Sequence, residues 1–369
     1  MGLSKLGFGF GVASVLVAWS SSSPSARAAL LIGNTSGNNV VAVDERSGRL
    51  LGNFITPGSG GLTSPDDLTF GPDGNLYVSS GTNTSGQVLR YDGRTGKFID
   101  TFTKGGTLFR PYGNAFGPDG NLYVSSFRTD EIARFDGATG QFIDIFAAGT
   151  RTANGLNGPN DLLFGPDGAL YVSTQGSVAD GTGDITFAFD SQVLRYDIAT
   201  GAGEVFIEQP APLDTSFGFV SFLGLATGPD GNLYTSDFAN GIRSYDFLSG
   251  SLLSELETAY TFFDDAGTLR SGNFIGSLAF TPDDELFTVG FDFTDGDRGA
   301  VLRYDALTGA PFPSPGQPGA VFVPSTDELL RPIGIAYTST PVPEPTLTAG
   351  LLLAGAWSIR SRVRKADRQ

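Results

Sequence analysis

Apolar and polar residues alternate in short stretches along this chain, and turns rich in Gly, Pro and Asp separate the stretches. In FGPDGNLYVSS, at 70–80, an apolar residue precedes a Pro-Asp-Gly turn and LYVSS follows it. Proline fixes φ at the first turn position and glycine accepts a left-handed one, while alternation of β-rich residues is typical of a strand. The pattern therefore predicts two short strands joined by a tight turn.

This motif is repeated along the chain. Its five copies start at intervals of 46, 48, 63 and 53 residues, at 70–80, 116–126, 164–174, 227–237 and 280–290. A second motif, VLRYDGRTGKFI at 88–99, recurs between the copies and predicts another hairpin. One repeat is thus four antiparallel strands, a to d, in about 45 residues, which is the size of a propeller blade.

The two ends of the repeat region complement each other. The segment from 29 to 55 supplies strands b, c and d without a strand a, whereas RPIGIAYTS at 331–339 matches the strand-a segment RPYGNAFGP at 110–118 and has no further strands after it. The sequence therefore predicts an all-β protein, a six-bladed β-propeller over 29–340 that is closed by pairing the C-terminal strand with the N-terminal blade. Closure protects strand edges that would otherwise aggregate.

Composition narrows the possible chemistry. The chain has no Cys and no His, which excludes disulfides, zinc sites built from these residues, and catalysis by a His base or a Cys nucleophile. Its net charge is −16, and because both ends are basic, the central region is more acidic still. Such a body excludes nucleic acid and anionic lipid as partners, but suits an exported protein or one that collects divalent cations.

The N-terminal segment 1–28 has the pattern of a secretory signal peptide. Lys5 precedes the apolar run LGFGFGVASVLVAW, and a Ser-rich stretch leads to Ala26-Arg27-Ala28. Small residues at alternate positions after an apolar run are typical of a signal cleavage site. We expect cleavage between Ala28 and Ala29, and therefore export.

The C-terminal segment 341–369 has three parts: VPEP, an apolar run from about Leu347 to Ile359, and a basic cluster. This order closely resembles the PEP-CTERM sorting signal of bacteria. The resemblance implies that an exosortase-type protease recognises Pro343-Glu344-Pro345 and delivers the protein to the cell surface or the extracellular matrix. The run is shorter than the roughly 20 residues of a full membrane span, which favours a transient attachment, although a plain transmembrane helix is the alternative.

Polar residues at the starts of several a strands are candidate metal ligands. In a propeller these strands line the central channel, and hard oxygen ligands that converge there are what Ca²⁺ prefers. The candidates are Asp66, Asp67, Asn114, Asn160 and Asp161. The alternative is that these side chains only cap turns by accepting hydrogen bonds from local backbone amides.

The blades also resemble NHL-type and gluconolactonase-like six-bladed propellers, most closely at LYTSDFANGIRSYD, 233–246. In the metal-dependent lactonases of this group, Asn and Asp at the channel hold Ca²⁺. The resemblance implies such a role for Asn160-Asp161 and, less completely, for Asp66-Asp67. The other blades depart from the pattern, with Gly or apolar residues where further ligands are expected.

Four long connections, all on the face that carries the b–c and d–a loops, distinguish individual blades: 175–192, 208–222, 257–274 and 290–300. Binding residues concentrate on variable loops held by a rigid scaffold, so this variable face is the candidate functional face. The loops are rich in phenylalanine, which forms either a ligand-binding patch or the packing of the loops on the ring: Phe187, Phe189, Phe217, Phe219, Phe222, Phe262, Phe263, Phe291 and Phe293.

The same loops hold two groups of aspartates, Asp180/Asp184/Asp190 and Asp292/Asp295/Asp297. Their spacing does not fit an EF-hand loop, so solvated acidic loops are an alternative to peripheral calcium sites. The recurring Tyr or Phe before the Asp of the second motif is interpreted as blade packing, at Tyr91, Phe135, Tyr196, Tyr245 and Tyr304.

These features favour a monomeric, non-enzymatic binding or scaffold protein of the cell surface or extracellular matrix, with a polysaccharide or a surface protein as partner. A Ca²⁺-dependent lactonase-like hydrolase with its site at the channel mouth is the alternative. A lyase similar to the streptogramin-cleaving propellers is a third possibility, which the lack of His disfavours because such chemistry needs a general base.

Overall fold

A computed structural model describes residues 27–342 except 181, 183, 215 and 261–271. Its strands form six four-stranded antiparallel sheets. The first strands of neighbouring sheets contact one another in sequence around a complete ring, so the sheets are the blades of a six-bladed β-propeller. The described residues contain one short 3₁₀ turn, Ser59–Gly61, and no α-helix. No helix in this part of the chain is long and apolar enough to span a membrane.

Blades 2 to 6 are each built from strands a to d in chain order, whereas blade 1 takes its strand a from the C-terminal end of the described chain. Blade 1 combines β26 (Pro332–Val342) with β1 (Arg27–Asn34), β2 (Asn39–Asp44) and β3 (Leu50–Ile55). Blade 2 contains β4 (Asp67–Phe70), β5 (Leu76–Thr82), β6 (Ser85–Tyr91) and β7 (Phe98–Thr101). Blade 3 contains β8 (Pro111–Phe116), β9 (Asn121–Ser126), β10 (Glu131–Asp136) and β11 (Phe142–Ala148).

The remaining blades follow the same plan. Blade 4 contains β12 (Pro159–Phe164), β13 (Leu170–Thr174), β16 (Val193–Tyr196) and β17 (Gly203–Ile207), with an inserted hairpin of β14 (Ser177–Ala179) and β15 (Ile185–Phe187). Blade 5 contains β18 (Phe222–Thr227), β19 (Leu233–Asp237), β20 (Gly241–Tyr245) and β21 (Leu252–Glu257). Blade 6 contains β22 (Asn273–Phe280), β23 (Glu285–Asp292), β24 (Arg298–Asp305) and β25 (Val321–Leu330).

The predicted ring closure is confirmed. Strand β26 pairs antiparallel with β1 as the innermost strand of blade 1, with Leu31 opposite Ala336 and Ile32 opposite Ile335. Pairing extends to Arg27 and Val342, slightly beyond the expected limits of 29 and 340. Alternate residues of β1 enter two different hydrophobic clusters, one shared with blade 2 and one with blade 6. Closure therefore completes the core on both sides of this blade.

The repeated turn sequences have a structural cause. In the second motif, Asp92 Oδ1 accepts hydrogen bonds from the backbone N–H of Arg94 and Thr95 and from the Thr95 hydroxyl, at 3.1, 2.8 and 2.8 Å. These bonds lower the pKa of Asp92 and hold the turn in shape. The same contacts recur at Asp136, Asp197, Asp246 and Asp305. The second motif thus recurs in the sequence because the same Asp-centred turn recurs in the structure.

Aromatic residues join successive blades. Tyr77 of β5 packs edge-on against Phe102, which follows β7, and against Phe116 of β8 in the next blade, with ring centroids 4.9 and 4.8 Å apart. Tyr123 occupies the same position in blade 3 and contacts Phe164 of β12 in the same way, whereas Tyr171 in blade 4 contacts Phe247 in the c–d turn of blade 5. The aromatic positions predicted to pack the blades are confirmed as buried at Tyr91, Phe135, Tyr196, Tyr245 and Tyr304.

Candidate functional site

A cavity of about 640 Å³ opens at the channel mouth on the variable face. Two of the long connections form most of its walls: the hairpin insertion of blade 4 contributes Ile185, Phe187 and Phe189, and the link before blade 5 contributes Gly218 and Phe219. The floor consists of residues at the starts of a strands, including Leu223 and Ile333. The cavity therefore lies where the sequence predicted variable loops on a rigid scaffold.

Buried polar contacts hold the walls in place. Asp130 Oδ1 accepts a hydrogen bond from Gly158 N–H at 2.8 Å, and its Oδ2 accepts one from Ala179 N–H in the hairpin at 2.6 Å. The Arg151 guanidinium donates to the Ala179 carbonyl at 2.9 Å. Burial raises the pKa of Asp130, and the two amide bonds oppose the rise. The hairpin is thus fastened to the neighbouring blade 3 as well as to its own blade.

The cavity continues into an exposed aromatic cluster. Phe238 stacks on Phe274 at 4.3 Å between centroids, and Phe274 stacks on Phe293 at 5.0 Å and contacts Phe217 at 5.1 Å. The predicted aromatics therefore divide into two roles. Phe222 and Phe291 are buried and pack the loops, whereas Phe187, Phe217, Phe219 and Phe293 remain exposed, Phe187 by 66%. Phe262 and Phe263 lie outside the described residues.

Two arginines reach the mouth from equivalent positions. Arg110 and Arg331 each precede the proline that begins an a strand, and both have left-handed backbones, with φ of 50° and 53°. Glycine occupies this position at Gly158, with φ of 63°. A left-handed conformation is unfavourable for a residue with a side chain. Ser64, which precedes Pro65, has the same left-handed backbone with φ of 44°, so this position accepts several residue types, and the repeated RP in the sequence marks the two blades in which it is an arginine.

Asp66 is paired with one of these arginines. Its carboxylate, which is almost fully buried, accepts a hydrogen bond from Arg110 Nε at 2.9 Å and from the Thr35 hydroxyl at 3.2 Å. Burial raises the pKa of Asp66, and the charge of Arg110 opposes that rise. This predicted metal ligand therefore already has a cationic partner, and the pair forms part of the cavity lining.

Asp67 and Asp161 lie deeper, where the channel narrows to a space of about 20 Å³. Each carboxylate joins two blades: Asp67 accepts hydrogen bonds from the backbone N–H of Leu68 and Asn114, and Asp161 accepts them from Leu162 and Leu225. The bonds to Asn114 and Leu225 cross to the next blade along the chain. The alternative prediction, that these side chains only cap local turns, thus accounts for the bonds to Leu68 and Leu162 but not for the bonds to the next blade.

The two channel carboxylates interact electrostatically. Burial raises the pKa of Asp67 to about 6, against the effect of its amide bonds. Burial and then repulsion from Asp67 raise the pKa of Asp161 well above its ordinary value. At Asp67 the folded chain therefore binds more protons than the unfolded chain between about pH 4 and 6, so its raised pKa favours folding more below that interval than above it.

The two asparagines have other partners. Asn114 donates through Nδ2 to Asp67 at 3.0 Å and to Ser79 at 3.1 Å, and its buried Oδ1 has no hydrogen-bond partner among the described atoms. It pairs with Val124 where Leu68 pairs with Val78, so it lies one position further along its strand than Asp67. Asn160 Nδ2 is 3.5 Å from the Phe222 carbonyl.

The predicted calcium ligands thus do not all converge on one point. Asp67 and Asp161 line the same constriction, whereas Asp66 is engaged by Arg110 above it. Calcium takes about six to eight oxygen ligands. Two carboxylates that each contribute one oxygen atom supply far fewer than that. Within the described residues, no group of three or more acidic side chains is placed to hold a metal ion.

The other predicted sites have mixed positions. Asp180 and Asp292 accept hydrogen bonds within turns, from Thr182 and Thr294, and Asp190 lines the cavity. Ala28 and Ala29 lie in β1. The sorting motif Pro343-Glu344-Pro345 lies outside the described residues, as does the chain before Arg27.

Comparison with known proteins supports the fold alone. No protein-family model matches the chain, and no curated protein matches it. Among solved structures it is similar to the nidogen/laminin complex, at 12% identity and a TM-score of 0.56, covering 85% of this chain and 99% of that one. At such identity the likeness extends to architecture and not to ligand or activity.

Two lyases are also among the similar solved structures, both with TM-scores under 0.5. Virginiamycin B lyase from Staphylococcus aureus is 15% identical, with a TM-score of 0.47, over 83% of this chain and 86% of that one. A streptogramin B lyase is 17% identical, with a TM-score of 0.44, over 75% of this chain and 79% of that one. The similar structures thus include both a binding complex and lyases, and they give no firm enzymatic assignment. What this chain is shown to be is a six-bladed β-propeller.

Proposed function

We propose that this protein is exported and acts without catalysis, as a surface or matrix protein that binds a ligand in the mouth cavity. The observation that carries the proposal is the cavity itself, about 640 Å³ in volume and walled by exposed phenylalanines. Pockets of this size with apolar walls and a few polar groups are typical ligand sites. Large aromatic side chains left exposed together on one face also indicate binding.

Export and sorting complete the proposal. Signal cleavage between Ala28 and Ala29, followed by recognition of Pro343-Glu344-Pro345 by an exosortase-type protease, would leave the propeller as a monomer at the cell surface or in the matrix. The terminal sequences support this route, and a chain with a net charge of −16 fits a partner other than nucleic acid. The mass of the surface protein reports both cleavages.

The binding experiment uses matrix material isolated from the producing cells. We expect the full chain to co-sediment with it, and the double substitution Phe187→Ser with Phe219→Ser to weaken retention by at least about tenfold, because aromatic side chains dominate binding energies. Leu248→Ser is the matched control, since Leu248 is 93% exposed on a c–d turn of the opposite face. Equal retention of the double variant and the control would exclude the cavity as the binding site.

The channel pair favours a second candidate, a calcium-dependent hydrolase of the lactonase type. Asp67 and Asp161 would hold the ion, which would act as a Lewis acid on a carbonyl oxygen. The raised pKa of each carboxyl group is the observation that favours it, because a bound cation relieves this repulsion.

This candidate makes a distinct prediction. Calcium should raise the melting temperature at neutral pH, raise it less at about pH 5, where protons compete for the pair, and have no effect on Asp161→Asn. Differential scanning calorimetry with calcium and with excess chelator measures this. An equal response of the wild type and Asp161→Asn removes the channel pair as a calcium site and leaves the binding proposal in place.

A further inference from the structure

Basic side chains line the mouth cavity of this acidic protein. The chain carries 39 acidic and 23 basic residues, yet three arginines line the cavity against two aspartates: Arg110, Arg128 and Arg331 against Asp66 and Asp190. Arg110 is neutralised by Asp66. Among the described residues, arginine therefore outnumbers aspartate in the cavity lining of an otherwise acidic molecule.

Arg331 is the residue best placed to contact a ligand. It is exposed at the mouth, and its guanidinium carbon lies 5.5 Å from the centre of the Phe291 ring. The Phe291 ring is its cation–π partner, and its charge also opposes the rise in the pKa of the Asp66 carboxyl group. The backbone is fixed on both sides, because Arg331 N–H donates to the Asp297 carbonyl at 2.8 Å and Pro332 follows. A guanidinium held in this way retains donors for a carboxylate or a similar planar anion.

The cavity walls beside Arg331 are apolar and would contact an uncharged part of a ligand. Phe219 and Phe187 are exposed, and Phe238 and Ile333 form apolar surface between them and the channel. Flat apolar groups pack well on aromatic rings, either stacked or edge-on. A ligand that satisfies both parts of the cavity has a flat apolar body and a negative charge at one end.

We propose that the cavity binds an organic anion with an aromatic or similarly flat body, in which Arg331 receives the anionic group and Phe187 and Phe219 enclose the body. This inference rests on the proposed function and specifies its ligand class. Long-range repulsion from the acidic body opposes the approach of any anion. The local arginines therefore decide the selectivity, and the choice between charged and neutral ligands becomes the test.

The test compares three fluorescent probes of one shape with the full chain: 1-naphthoate, neutral 1-naphthamide and cationic 1-naphthylmethylamine. We expect 1-naphthoate to bind at least about tenfold more tightly than the amide, as one charge-assisted contact provides, and the amine to bind most weakly. The preference should shrink as salt is added, because the mouth is exposed and salt screens such contacts.

Variants assign the effect to residues. Arg331→Gln should reduce the affinity for 1-naphthoate to that for 1-naphthamide and leave the amide unchanged, whereas Asp190→Asn should tighten 1-naphthoate binding, an effect that loss of structure does not produce. Arg298→Gln is the matched control, since Arg298 is an exposed arginine outside the cavity that pairs with Asp327. Melting temperatures verify that each variant is folded.

The possible outcomes separate this inference from the proposed function. Equal binding of the anionic and neutral probes, lost together in the Phe187→Ser and Phe219→Ser variant, overturns the anion preference and supports the cavity as a binding site. Anion binding that survives Arg331→Gln overturns the role of Arg331. Failure of all three probes to bind overturns the ligand class, while retention of the protein by the isolated matrix would still support the proposed function.

Discussion

A chain that ends at Arg331 should fail to form a stable ring, whereas a chain that ends at Val342 should melt like the full protein. Strand β26 supplies the innermost strand of blade 1, where Ile333, Ile335 and Val342 are buried. Burying such a side chain stabilises a protein by about 1.5–3 kcal/mol, so these three contribute roughly 5–9 kcal/mol by the same measure. Domains are stable by only about 5–15 kcal/mol in total.

Loss of the strand also uncovers neighbours. Leu30, Leu31 and Ile32 of β1 have no exposed surface in the closed ring, and without β26 they lie on an open sheet edge that favours aggregation. Circular dichroism during heating should show a melting temperature lowered by more than about 10 °C, or insoluble protein, given that about 1 kcal/mol corresponds to a few degrees. A truncated chain that melts within a few degrees of the full protein would show that blade 1 is stable with three strands.

Addition of the missing strand provides an independent check. A synthetic peptide of residues 332–342 should restore part of the melting temperature when it is refolded with the truncated chain, because β26 pairs with β1 and needs no covalent link to do so. A peptide with Ile333 and Ile335 both changed to Ser is the matched control, since it preserves the backbone hydrogen bonds and removes the buried apolar groups.

Asp237→Ala should be the most destabilising single substitution in blade 5, with an expected loss of about 3–5 kcal/mol in the free energy of unfolding. Arg243 is completely buried, and its guanidinium contacts Asp237 at 3.1 Å and Glu255 at 2.9 Å. Burial raises the pKa of Asp237, and its amide bonds and Arg243 oppose the rise. Removal of Asp237 leaves a buried cation with less compensation, which is far more costly than loss of a surface pair.

Two controls define the origin of the loss. Asp327→Ala breaks the exposed pair with Arg298 and should cost less than about 1 kcal/mol. The double variant Asp237→Asn with Arg243→Met should recover stability, because Asn keeps the Oδ1 acceptor for Ser221 and Ala239 N–H while both charges are removed. Urea unfolding measures all three variants. If Asp237→Ala and Asp327→Ala cost the same, the buried pair is not the stabilising element proposed.

The buried pair of Asp237 and Arg243 also supports a wall of the mouth cavity. Arg243 Nη2 donates to the Ala211 carbonyl at 3.0 Å, and Asp237 accepts from Ser221 N–H at 2.8 Å, so the two residues secure both ends of the 211–221 link that forms a cavity wall. Nothing in the spacing of Asp237 and Arg243 within LYTSDFANGIRSYD distinguishes this network from ordinary surface residues of a hairpin. The two charges contribute strongly to stability only because the folded structure buries them.

Most of the architecture could be predicted from the sequence because each blade repeats one local rule. Turn residues such as Asp92 act on neighbours two and three positions away, and the alternation in LYVSS determines which side chains enter the core. Even the closure by 331–339 follows, since a strand a without partners has only one incomplete blade to join. These are local patterns, and repetition makes each of them visible several times.

The candidate site was less predictable because its contacts join distant parts of the chain. Asp66 was expected to bind metal, but Arg110, 44 residues away, occupies its carboxylate. Asn114 was placed level with Asp67, but the 46-residue interval between these blades places it level with Leu68, as the strand pairing shows. The cavity itself depends on two loops that do not share the repeat, and their path cannot be read from blade spacing.

The direction of β26 determines which way the mouth cavity would face if the propeller were attached through the residues after Val342. The strand starts beside Arg331 and Ile333 at the cavity mouth and runs for 11 residues to Val342, a length of about 36 Å at the rise of an extended strand. Arg27, which pairs with Val342, lies at that same far end. A propeller tethered through the residues that follow Val342 would therefore point its cavity away from the tether and towards the surrounding medium, so that attachment and ligand capture take place on opposite faces.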